Sequence, residues 1–371
     1  MTIYVRDKLF QLIRCTLWGD SVTDKLSMKE FRQVLSIAAD QTVYGLVFDA
    51  MKGMDTEGFE NKMPVYEAIG MAEKIAQQNE RMNAELAEFI SLCKKEGLEF
   101  IVVKGQTVGS FYLNPLLRQS GDIDFLVHSD YDIAKVIAEK ALDVSLPTTM
   151  SEFEIGFNRN GIKYELHTKL RGWAKKQHQK IWDERMEREW QNEYYVDVNG
   201  VKVRTLSPTL NAAYIFIHLF FHFIREGVSL RQFCDWAMVL HHYRDEIDRK
   251  ELEEILSILD MLKAYKAFGS ILVDKLGLSE SDFPFAIEHC DRKWKEKILK
   301  DMFAGGNFGK LNHDKGFTFQ ISRFRSLWYK IETMGVAMRN SLKYYRLCPS
   351  EVGGMLPRLV KGNLKILFSQ R

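Results

Sequence analysis

Cysteine is scarce and poorly placed for a framework. The five cysteines (Cys15, Cys93, Cys234, Cys290 and Cys348) are scattered and odd in number. None forms a C-x-x-C pair, so the spacing suggests neither a disulfide scaffold nor a zinc knuckle. Long apolar runs are missing as well. The longest of note, "LNAAYIFIHLFF" (210–221), covers twelve residues, where a membrane span needs about 20. The N-terminus "MTIYVRDKLFQLIRCTLWGD" mixes charges among its apolar residues and lacks the apolar core of a signal peptide, so a reducing, cytoplasmic location with no transmembrane segment is expected. A strong charge of one sign is absent too. At +2 over 371 residues the net charge gives no global argument for a nucleic-acid partner. No repeat and no low-complexity segment breaks the chain.

What is present is an ordinary globular composition, 46% hydrophobic and 27% charged, long enough for two or three domains. Its charge is uneven: residues 321–371 hold ten Lys or Arg against two Glu, leaving the remainder acidic. Apolar residues recur three and four apart through "MKEFRQVLSIAADQTVYGLVFDAMKG" and "VYEAIGMAEKIAQQNERMNAELAEFISLCKKEG", the helical period, and Gly97 is a natural stop. The period then changes. "LEFIVVKG" (98–105) and "DIDFLV" read as short buried strands, with "QTVGSFY" a short helix between them. Ser129 reads as the cap of a helix that Pro147 ends. Two Asn-Gly pairs, 160–161 and 199–200, signal hairpins within 153–170 and 193–207. Ser207-Pro208 starts a new helical stretch. The fold class is therefore α+β, a small mixed sheet flanked by helices. The expected regions are an N-terminal helical region (1–96), an α/β core (97–206) and a C-terminal helical region with a basic tail (207–371).

The chemistry is expected in the sheet. In "RQSGDIDFLV" (118–127), Asp122 and Asp124 stand two apart, so on a strand they share a face. Such like charges disfavour each other's ionisation unless something positive lies between them. In the second arm of the first hairpin, Ile162, Tyr164 and Leu166 alternate with Lys163, Glu165 and His167, placing Glu165 on a polar face. If the strands are neighbours, three carboxylates converge. Oxygen donors of that kind suit magnesium or manganese rather than zinc, and a pair of such ions about 4 Å apart activates a hydroxyl and stabilises a leaving pyrophosphate. The bland alternative is an acidic edge whose carboxylates are solvated or paired with lysines. Strand, Lys104-Gly105, helix start is an arrangement that lets backbone approach a phosphate. Arg118 adds a guanidinium suited to phosphate oxygens.

"IVVKGQTVGSFYLNPLLRQSGDIDFLV" with "YELHTKL" resembles the nucleotidyltransferase superfamily that includes DNA polymerase beta. It is most similar to a bacterial family of uncharacterised nucleotidyltransferases, marked by a Lys-Gly strand end, R-x-x-G-D-I-D and a later acid-Leu-His. The resemblance is strongest over 98–170 and continues into "HLFFHFIREGVSLRQFCDWAMVL". It implies a nucleotidyltransferase core in which Asp122, Asp124 and Glu165 bind Mg²⁺ or Mn²⁺ and Glu165 also positions or deprotonates an acceptor hydroxyl. Gly105 would hold the triphosphate, with Lys104, Arg118, Ser120 and Gly121 as further nucleotide contacts. The chain departs from the wider pattern in having Gly105-Gln106 where Gly-Ser or Gly-Gly is common, and in the long gap from Gly105 to Asp122.

Other residues keep two readings each. His167 either touches substrate or orients the acid beside it. His218 and His222 have the i, i+4 spacing of zinc ligands, but no Glu stands between them in the metalloprotease position, and a packed pair is the simpler reading. His222, Arg231 and Asp235 match the family's helical segment, as acceptor contacts or as a brace. The basic tail reads as a solvated face, an anion groove or a membrane-surface stretch. The function expected is transfer of a nucleoside monophosphate from an NTP to a hydroxyl acceptor, a small molecule ahead of nucleic acid, with pyrophosphate release. The alternatives are a non-catalytic nucleotide- or partner-binding module on the same fold and, more remotely, a helical scaffold.

Overall fold

A computed structural model of the chain describes residues 3–20, 25–52, 54, 58–128, 131–142, 154–306 and 323–354. The expected cap at Ser129, the helix stop at Pro147 and the last stretch of the basic tail lie outside these residues. Before the sheet come α1 (Ile3–Trp18), α2 (Met28–Asp40), α3 (Tyr44–Met51) and α4 (Met63–Lys95). The central part runs β1 (Phe100–Val103), α5 (Gly105–Gly109), β2 (Asp122–Val127), α6 (Tyr131–Leu142), β3 (Glu154–Arg159), β4 (Ile162–His167), α7 (Lys176–Glu189), β5 (Tyr194–Val198) and β6 (Val201–Thr205). Then follow α8 (Pro208–Arg225), α9 (Leu230–His242), α10 (Arg249–Ile258), α11 (Leu262–Asp274), α12 (His289–Arg292), α13 (Lys295–Gly305) and α14 (Arg323–Tyr344). The fold is α+β. No helix among the described residues is long and apolar enough to cross a membrane.

The strands make two sheets rather than one. The four-stranded sheet has the order β1-β2-β4-β3, mixed because β2 and β4 are parallel while the outer pairs are antiparallel. Among the described residues, strands β5 and β6 pair only with each other. Both predicted hairpin turns form. Asn160 and Gly161 take φ of 50° and 76°, and Asn199 and Gly200 take 53° and 82°, the two successive left-handed residues that a tight hairpin turn demands.

One face of the larger sheet packs on α4. Leu86, Phe89, Ile90 and Cys93 recur at helical spacing and meet Phe100, Val102, Ile123, Phe125, Val127, Ile155, Phe157, Tyr164 and Leu166. Phe89 is the hub, its ring centroid 4.5 Å from Phe125, 5.0 Å from Phe100 and 5.8 Å from Tyr164. Because strand side chains alternate, filling this face with Ile123, Phe125, Tyr164 and Leu166 sends Asp122, Asp124, Lys163, Glu165 and His167 to the other.

Packing divides the chain into two compact units. The first comprises residues 1–39, 43–172 and 183–211 and holds both sheets; the second comprises 40–42, 173–182 and 212–371. The second is helical with an aromatic interior, in which the Phe216 ring lies 4.8 Å from both Trp236 and Tyr265. Ser229 and Gln232 form a capping box at the start of α9, satisfying backbone donors that a helix leaves free.

Candidate active site on the polar face of the sheet

Register brings the acids together. Across the parallel β2 and β4 pair, Asp124 stands opposite Glu165, Asp122 opposite Lys163 and Leu126 opposite His167. Asp124 is buried at 2% exposure, a position a carboxylate occupies only with partners. Lys104 Nζ and His167 Nε2 are among them, each 3.0 Å from its Oδ1. His167 Nε2 is also 3.9 Å from Glu165 Oε2. Lys163 binds Glu165 and stands 3.7 Å from Asp122 Oδ2. The positive groups that two adjacent aspartates require are therefore the chain's own lysines.

Burial, with the charges of Asp124 and Asp122, pushes the Glu165 carboxyl above its ordinary value, although Lys163 and Lys104 pull the other way. Burial disfavours the Lys163 ammonium, but its bond to Glu165 and the charges of Glu165, Asp122 and Asp124 prevail, and its pKa is raised. The polar face over the two central strands thus gathers three acids, Lys163 and an imidazole, with Lys104 joining from the turn after β1.

The turn after β1 aims Lys104 at this cluster. Lys104 has φ 58° and ψ −146°, a region that costs a residue with a side chain about 1–3 kcal/mol, and Gly105 follows with φ 49°. The hydroxyl of buried Thr107 donates to the Lys104 carbonyl at 2.7 Å, locking the bend. A Cβ on Gly105 would meet the Asp122 carbonyl oxygen at 3.4 Å, so backbone passes close to the start of β2 there. Helix α5 is five residues long, too short to build much macrodipole. The anion-attracting feature at this corner is the Lys104 ammonium, since Gly105 and the rest of α5 are buried.

Arg118 does not reach toward solvent. It is 4% exposed, its Nη1 donates to Ser120 Oγ at 2.9 Å, and its carbonyl accepts from Asn79 Nδ2 at 2.7 Å. With Gln119 Oε1 accepting from Tyr44 N at 2.7 Å, these bonds pin the segment entering β2, where Gly121 is exposed with open space around it. His222 lies on α8 and Arg231 and Asp235 on α9, all in the second unit, where the His222 ring is 4.3 Å from His218 and Asp235 is buried. Glu154 pairs with His167 across β3 and β4, and Asp197 lies on β5.

Among the described residues, the group whose potential ligand atoms all lie within 4.8 Å of one another is Asp124, Glu165 and His167. Asp122 shares their face but is not in that group. Lys163 is the residue that sequence reasoning passed over. Its alternation with Glu165 placed it on the right face, but a lone lysine there reads as solvated until its neighbour across the sheet is known.

Residues 27–273, about two thirds of the chain, match the sequence profile of a family described as "Uncharacterised nucleotidyltransferase". The chain belongs to this family. Among solved structures, the chain is similar to an antigenic nucleotidyltransferase-like protein from Paracoccidioides brasiliensis, at 13% identity over 56% of this chain and 94% of that one, with a TM-score of 0.31. No curated protein matches. The family span includes every sheet residue discussed above and the helical positions His222, Arg231 and Asp235. In this nucleotidyltransferase family member the acid cluster suits a hard divalent ion: the carboxylates of Asp124 and Glu165 supply oxygen donors, with Asp122 on the same face and His167 Nε2 at hand.

Proposed function

We propose that the chain is a metal-dependent nucleotidyltransferase that moves a nucleoside monophosphate from an NTP to a hydroxyl acceptor and releases pyrophosphate. The observation that carries this reading is the register of β2 against β4, which sets Asp124 beside Glu165 next to the bend that presents Lys104 and Gly105. Asp124 and Glu165, with Asp122 at the more open end, would hold Mg²⁺ or Mn²⁺. When bound, such an ion neutralises phosphate charge and lowers the pKa of a hydroxyl.

The remaining work falls to the chain's own groups. Lys104 would supply a cation to the phosphates, and Gly105, having no side chain, lets backbone N–H groups approach them. Glu165 would orient the acceptor hydroxyl and take its proton. His167, bonded to Asp124, fixes that carboxylate's direction. Arg118 and Ser120 would hold the loop that carries Gly121 toward the nucleotide. A small-molecule acceptor remains the expectation.

Pyrophosphate release, measured for wild type and Glu165→Gln with each NTP and a broad acceptor mixture, tests this reading. The expected result is turnover in wild type and its loss by orders of magnitude in the variant, while NTP and Mn²⁺ affinity stay within a few-fold. That pattern marks an interaction made mainly in the transition state. Equal turnover in both would move the third carboxylate to Glu154 or Asp197. Nucleotide binding without turnover in wild type would identify a nucleotide-binding module.

A further inference from the structure

The two lysines of the acid cluster are not equivalent. Lys104 is nearly buried, its side chain 12% exposed, and it rises from a locked bend onto Asp124. Lys163 is 52% exposed and is the second residue of β4. Its ammonium binds Glu165 and lies 3.7 Å from Asp122, so it spans the gap between the acid at the rim and the acid inside. That gap is a place where a cation held by these carboxylates would sit. An ammonium on a flexible four-carbon stem can leave it without disturbing the strand.

We infer that Lys163 is a built-in substitute cation: it neutralises Asp122 and Glu165 while the site is empty and moves onto the phosphates of an incoming metal–nucleotide complex, making metal binding depend on nucleotide. This rests on the nucleotidyltransferase reading above. The argument is electrostatic. A +1 and a +2 charge on the same carboxylate repel strongly, so Lys163 must leave Glu165 when Glu165 and Asp124, with Asp122 at the open end, take a divalent ion. With a bare ion it gives up its carboxylate contacts for water. With a nucleotide present it exchanges them for phosphate oxygens, which suit an ammonium equally well. Lys104 is set apart by its place: its partner Asp124 is buried, its own side chain is 12% exposed, and the Thr107 bond holds the backbone it rises from, so it cannot swing clear of the site as an exposed side chain can. Lys163 is thus a positioning residue for metal and phosphate alike.

The test is Mn²⁺ affinity, by calorimetry or by the spin-resonance signal of free Mn²⁺, with and without a non-hydrolysable NTP analogue. Lys163→Met keeps the stem and removes the charge. Without nucleotide it should bind Mn²⁺ roughly tenfold more tightly than wild type or better, since a like charge has gone. With the analogue present the advantage should vanish, and affinity for the analogue itself should drop. Lys163→Arg should follow wild type in both conditions. Because Lys163→Met leaves Glu165 and Asp122 without this partner, the variant is expected to melt below wild type in EDTA, and its Mn²⁺ binding is read well below that transition, with Lys163→Arg as the variant that keeps the charge. A merely structural lysine predicts no such reversal. Unchanged or weaker Mn²⁺ binding by Lys163→Met without nucleotide, where wild type binds, overturns the inference while leaving the metal site standing. Retention of wild-type Mn²⁺ binding by Asp124→Asn, or no Mn²⁺ binding by wild type and Lys163→Met alike, overturns the metal site and the inference with it.

Discussion

At Lys104 the backbone works against the side chain it carries. With φ 58° and ψ −146°, the position favours glycine, yet the lysine there contacts a buried carboxylate at 3.0 Å. Comparing Lys104→Gly with Lys104→Ala isolates the backbone, because both lose the ammonium. In a regular element glycine is the less stable of the two by about 0.5–1 kcal/mol. Here it should be the more stable by about 1–2 kcal/mol, read from urea midpoints at equal slope, and an alanine variant as stable as the glycine one would show that the bend carries no strain. Glu165 gives a second residue-scale prediction. Burial and the nearby aspartates raise its pKa in the folded state, so the folded chain holds that proton more tightly than the unfolded one. The contribution of Glu165 to stability is then fully present below the ordinary glutamate value of about 4.3 and is lost as pH rises through the window up to the raised folded value. In EDTA at neutral pH, Glu165→Gln should melt a few degrees above wild type, and the difference should shrink as pH falls through that window. A difference that stays constant with pH would mean that Glu165 does not titrate abnormally.

The strands hold the acids in place only as well as α4 holds the strands. Phe89 is fully buried and touches Phe100, Phe125 and Tyr164, on the side of the sheet opposite Asp124 and Glu165. Phe89→Ala should therefore cost about 3–5 kcal/mol, measured by urea unfolding, and a cost below about 1 kcal/mol would mean that the helix does not anchor the sheet. The consequence reaches the site, since a one-residue slip in pairing would turn every acid into the core. Much at this scale is legible before any coordinates: the D-x-D alternation, the polar arm carrying Glu165, the Asn-Gly turns and the helical period of α4 are all local patterns. The parallel pairing of β2 with β4 is not, because α6 and β3 intervene and no local signal names a strand's distant partner. That pairing is what joins Asp124 to Glu165 and His167, and what puts Lys163 beside Asp122. Helix α7 escapes for a different reason. His178, Trp182 and Met186 are buried four apart, a stripe of single residues in a stretch otherwise dominated by charge, too thin for the periodicity to stand out. Likewise, one sheet was expected where β5 and β6 form their own, since a hairpin signal fixes two strands to each other and says nothing of a third.

Composition reads as three consecutive regions, whereas the compact units are interleaved along the chain: residues 40–42 and 173–182 belong with 212–371. The contributions of those short passes are specific. Gln41 Oε1 accepts from Leu230 N at 3.1 Å and Thr42 Oγ1 is 2.6 Å from Ser229 Oγ, both at the start of α9. Trp173 and Trp182 are buried at 2% and 1% exposure, and the Trp173 ring is 5.8 Å from Phe221. Glu351, 1% exposed, has His178 Nδ1 at 2.7 Å from its Oε1 and accepts from Ala174 N at 2.7 Å at its Oε2. A fragment of residues 212–371 keeps Glu351 and loses both of these partners. An uncompensated buried carboxylate is costly, about 3–5 kcal/mol when one member of a buried pair is removed, and the two indoles leave a large void beside Phe221. Since a whole domain is stable by only about 5–15 kcal/mol, the fragment should not fold cooperatively. It should show a broad thermal transition and bind a hydrophobic dye, whereas the full chain melts sharply. Glu351→Gln in the full chain, which keeps a hydrogen-bonding group of the same size, should lower the melting temperature but leave the transition cooperative. A fragment 212–371 that melts as sharply as the full chain, and at the same temperature, would show that the short passes are dispensable and that the helical unit is a separable module. If they are needed, nucleotide and metal binding must be measured on the intact chain, because cutting at 211 removes residues that the second unit takes from both sides of the candidate active site in sequence.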